Sequence, residues 1–135
     1  MSVLKTFLAS FITGIIFTGI DFIWLSIMTS RLYKPQLAGY MADRVNILPA
    51  VLFYILFTIG LMVLAVFPAV DRGSLIRAVV FSGLLGLIAY ATYDLTNLSS
   101  IKNWPLIITV VDIAWGTTLA AISGALGYLV TRALG

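Results

Sequence analysis

Cysteine, histidine and glutamate are all missing from this chain of 135 residues. Without cysteine there is no disulfide and no thiol chemistry. Without histidine, the di-iron centres of membrane desaturases, histidine-ligated haem and the usual zinc sites cannot be assembled. No metal and no cofactor is therefore expected. Any chemistry must rest on Asp, Tyr, Lys, Arg, Ser, Thr or Asn. Charge of either sign is scarce too, at 10% of residues, with 8 basic residues against 5 acids.

Apolar residues fill the space. They make up 61% of the chain, and the mean hydropathy is +1.12. A soluble domain is usually about 45–50% apolar and about 25% charged. Residues 1–135 therefore read as one polytopic membrane domain, with membrane lipids as its surroundings. The net charge of +3 is spread over the turns. It anchors segments at the membrane surface and forms no patch for nucleic acid.

Four apolar runs are present, at about 6–28, 47–70, 75–98 and 104–130. The first follows Lys5 but is long, contains Asp21 and lacks a clean cleavage site, so it reads as a retained span. Its Ser10, Gly14, Thr18, Asp21 and Leu25 share one helix face. Between spans one and two lies the longest polar stretch, TSRLYKPQLAGYMADRVN. Pro35 suits a first helical turn, so a short interfacial helix is expected from about Pro35 to Asp43. Span two carries no charge and reads as a lipid-facing wall. The fold expected is an all-α bundle of four transmembrane helices plus that short helix.

Three of the five acids, Asp21, Asp94 and Asp112, lie inside apolar spans. Four spans put both termini on one side and the turns after spans one and three on the other. Counting residues at about 1.5 Å rise each places all three acids roughly 6–12 Å below the same surface. An acid in hydrocarbon costs several kcal/mol unless it is protonated, paired or hydrated. The three acids are thus the candidate catalytic or proton-handling groups, with Asp94 the nearest to water. The plainer alternative is that each acid bonds a neighbouring helix through Thr18, Tyr90, Tyr93, Asn97 or Thr117.

Tyr90 and Asn97 share the Asp94 face and are candidate binding residues. Trp24 and Trp115 stand one turn from Asp21 and Asp112, in two D-x-x-W segments on oppositely running spans. Lys34, Arg44 and Lys102, in the turns on that side, are candidate contacts for an anionic headgroup. Gly116, Ala120 and Gly124 repeat every four residues, a stripe for close helix packing or for a homo-oligomer face.

Four blocks, IDFIWL, YKPQLAGYMADRVN, YATYDLTNLSSIKNWP and VVDIAWG, together resemble a family of small bacterial membrane proteins. That family is catalogued as domain of unknown function 2177, and the likeness runs over essentially the whole chain. The resemblance implies a four-helix, multi-pass protein of the bacterial inner membrane and assigns no catalytic residues. From the residues, the leading expectation is a pocket between spans one, three and four that binds or modifies an amphipathic molecule. A small proton-coupled exporter and an accessory subunit of a larger complex are the alternatives.

Overall fold

A computed structural model describes residues 1–135. The chain is all helix, in four long elements: α1 (Val3–Leu37), α2 (Ile47–Asp71), α3 (Leu75–Ser100) and α4 (Leu106–Leu134). Each is long and apolar enough to cross a membrane. Their outer faces carry large bare side chains such as Phe22 at 70% exposure, Leu56 at 71% and Ile76 at 75%. Such a surface is stable only with lipid as its solvent.

The ends of the helices follow from local chemistry. Ser2 opens α1 by accepting from the Lys5 amide at 3.2 Å, and Ser74 opens α3 by accepting from the Arg77 amide at 3.2 Å. Gly73, at φ 62°, reverses the chain between α2 and α3. Asn103, also left-handed at φ 61°, turns it between α3 and α4, and extended Pro105 caps α4.

Two helices contain a wide turn. In α1, α-helix runs over Val3–Met28, then π-helix over Thr29–Tyr33, then α-helix again over Lys34–Leu37. The short helix between spans one and two is this last segment. It holds Pro35 in its first turn, is joined to α1 without a break, and ends at Leu37 rather than near Asp43. A second π turn, Met62–Val66, lies within α2. It presents Met62, Ala65 and Val66 to the core, so α2 is more than a wall against lipid.

The core is a column of Phe17, Phe57, Leu61, Met62, Val66, Leu119 and Ala120, drawn from α1, α2 and α4. Helices α3 and α4 pack along their length through small residues. A Cβ on Gly86 would lie 2.4 Å from the Gly116 carbonyl oxygen, and one on Gly124 would lie 1.8 Å from Ser82 Oγ. The stripe expected to serve close helix packing or a homo-oligomer face is packed within the chain. Gly116, Ala120 and Gly124 are all buried against α3, because only there can the backbones approach so closely.

Candidate functional site

Near the end of the bundle where α1 and α3 finish, the three intramembrane acids lie in one polar layer. Asp21 of α1 is buried, and two other helices supply its donors. The Tyr54 hydroxyl of α2 donates to Oδ2 at 2.6 Å, and Trp115 Nε1 of α4 donates to Oδ1 at 2.9 Å. Both oxygens are satisfied, which offsets the cost of burying a carboxylate.

Trp24, one turn beyond Asp21, stacks on Trp115 with ring centres 4.2 Å apart and planes 6° from parallel. Its Nε1 donates to the Tyr33 hydroxyl oxygen at 3.0 Å. Tyr33 in turn donates to Asp112 Oδ1 at 2.9 Å. The two D-x-x-W segments therefore interlock. Trp115 serves Asp21 directly, and Trp24 serves Asp112 through Tyr33. Antiparallel spans bring the motifs face to face, although they are not equivalent parts of two halves.

Asp94 of α3 departs from expectation. It is the least exposed of the three acids, at 0%, although it stands close to the end of its helix. Neither of its carboxyl oxygens has a hydrogen-bond partner. Its neighbour is the carboxyl of Asp112. At this end of the bundle Tyr33, Trp104 and Ile108 form a buried cluster, with Leu32, Leu37, Leu98 and Ile101 packed against it. Trp104 Nε1 donates to Thr109 Oγ1 at 3.2 Å, which fixes the indole. Tyr40 fastens the outer loop by donating to the Lys102 carbonyl at 2.6 Å. Lys34, Arg44 and Lys102 are exposed outside this cluster and are no counter-charges for the acids.

The donors differ from those the sequence suggested. Thr117 donates to the Ile113 carbonyl at 2.8 Å, within its own helix. Tyr90 is half-buried with its ring against α4, where a Cβ on Gly116 would meet it at 2.1 Å. Asn97 is half-buried, and its carbonyl accepts from the Ile101 amide at 2.8 Å as the helix ends. Tyr33 and Tyr54, which are not among the residues the sequence points to, carry much of the layer. For Tyr33, its place just after span one in the YKPQ turn was the available signal. For Tyr54 there was none.

The space between spans one, three and four, expected to be an open pocket, is filled by the Trp24–Trp115 stack and Tyr33. The open grooves lie elsewhere. One of about 490 Å³ runs between α1 and α2, over Phe7, Ser10, Phe11, Gly14, Thr18 and Tyr54 among others. Another of about 620 Å³ lies on the outer face of α3 and α4, over Leu95, Leu98, Val110 and Ile113 among others. Tyr54 belongs to both the α1–α2 groove and the acid layer: its side chain lines the groove and its hydroxyl holds Asp21.

No curated protein and no solved structure matches the chain. The model of one family, described as predicted membrane protein (DUF2177), matches residues 4–129. Four membrane-length helices and a match over nearly the whole length agree, and the chain belongs to this DUF2177 family of membrane proteins.

Proposed function

We propose that this protein binds a lipid-like amphipathic molecule in the bacterial inner membrane, with the apolar tail in the groove between α1 and α2. The observation that carries this reading is the double role of Tyr54, which lines the groove and donates to Asp21 at 2.6 Å. A tail lying along Phe11, Ile15 and Ile59 meets apolar side chains. Its polar end meets the hydroxyls of Thr18 and Tyr54, with the Asp21 carboxyl behind them. Ligand sites of this kind are mostly apolar, with a few placed polar groups. The acids themselves lie behind aromatic side chains, so the reading is one of binding, with Asp21 orienting the Tyr54 hydroxyl.

The test is photolabelling of the purified protein in bilayers with a lipid that carries a diazirine on its acyl chain. Labelling is expected to concentrate on Phe11, Ile15, Ile55 and Ile59 and to saturate. It should fall several-fold in Gly14→Leu, whose side chain occupies the groove beside Thr58. Labelling spread over all lipid-facing residues in proportion to their exposure, and unchanged in Gly14→Leu, would reject the reading.

A further inference from the structure

Of the acids in the layer, buried Asp21 has two donors and half-buried Asp112 has one, from Tyr33. Asp94 has none, although it is wholly enclosed. A carboxylate is an acceptor only, so Asp94 and Asp112 side by side offer each other nothing while both are ionised. Their mutual repulsion is strong where the surroundings are apolar. The other ionisable groups near the pair are Tyr33 from α1 and Tyr90 and Tyr93 from α3. No basic side chain stands among them.

One proton changes this balance. Bound to an Asp94 oxygen, it makes that carboxyl a donor to Asp112, and the charge of the pair goes from two negative to one. Asp112 then accepts from Asp94 and from Tyr33 together, and no buried oxygen is left facing another bare acceptor. We propose that Asp94 and Asp112 form an intramembrane proton site that holds one proton between them, placed on Asp94. Binding forms one O–H bond, and water is the source and the acceptor of the proton. The site is joined to the rest of the layer, because Tyr33 also accepts from Trp24, whose ring lies on Trp115. This inference does not depend on the lipid groove.

The proton can be seen directly by infrared spectroscopy of the full chain at neutral pH in ether-linked lipid, which has no ester carbonyl to overlap the signal. Wild type should show the C=O stretch of a protonated carboxyl, identified by its shift in protein prepared in D2O. The band should disappear in Asp94→Asn and in Asp112→Asn and persist in Asp21→Asn. The helical amide signal of the same spectra reports folding. Should Asp94→Asn fail to fold, the wild-type spectrum and Asp112→Asn still decide. A wild-type spectrum without the band, as expected if a metal cation rather than a proton sat between the acids, overturns the proposal. So does a band that survives both Asn variants at the pair, or one that is lost in Asp21→Asn alone.

Discussion

Trp24 and Trp115 lie face to face, 4.2 Å apart, and send their N–H groups in different directions, to Tyr33 and to Asp21. The stack therefore ties the two halves of the acid layer together. Trp115→Phe keeps an aromatic face and removes the donor to Asp21. It should lower stability by about 1–3 kcal/mol, the usual result of leaving a buried acceptor short of its donor. Trp24→Phe should cost less, because Tyr33 still donates to Asp112. Unfolding of both variants in mixed detergent checks the order, and a larger loss for Trp24→Phe would contradict it.

Tyr33 is the relay, accepting from Trp24 and donating to Asp112. Tyr33→Phe breaks both bonds and should destabilise by about 1–3 kcal/mol. Tyr40→Phe removes one bond at an exposed position and should cost at most about 1 kcal/mol. Thermal melts of the two purified variants, side by side, separate a relay from a surface contact.

Gly86 in the α3–α4 seam and Gly19 on the open face of α1 predict opposite signs for the same substitution. In Gly86→Ala the new methyl would fall 2.4 Å from a backbone oxygen that cannot step aside. Overpacking of this kind costs about 1–3 kcal/mol. In Gly19→Ala nothing lies within 4 Å, and the gain in helix propensity should leave stability equal or raised, by up to about 1 kcal/mol. Equal melting temperatures for both variants would mean that the seam is not packed as described.

The two left-handed turn residues give a matched pair. Gly73→Ala forces a Cβ into φ 62° and should cost about 1 kcal/mol. Asn103→Gly relieves φ 61° and should be neutral or stabilising. Melting curves of both are sufficient to check the signs.

The four helices and the common depth of Asp21, Asp94 and Asp112 were legible because both follow from counting apolar residues. The partners of the acids were not. A helix that is apolar nearly all round has no polar face to show which side meets its neighbours. Rotation decides which residues of the neighbouring helices meet Asp21, and here Tyr54 and Trp115 do. Depth also misled at Asp94. Distance from the helix end suggested access to water, but Trp104, Tyr33 and Ile108 form a buried cluster at that end. The small-residue stripe was legible as close packing, while its partner, α3 of the same chain, was not.

The π turn at Thr29–Tyr33 sets which way Tyr33 points. Trp24 and Tyr33 are 9 residues apart. In a regular α-helix that is about two and a half turns, which puts them on opposite faces. The wide turn acts as one extra residue and brings Tyr33 round to both Trp24 and Asp112. Chain length, as much as residue identity, is therefore under constraint here. Losing one residue between Thr29 and Leu32 would turn the wide turn into regular α-helix and leave Tyr33 on this face, whereas gaining one would carry Tyr33 about 100° further round and disconnect the layer with every partner still present, so insertions are the changes this segment tolerates least.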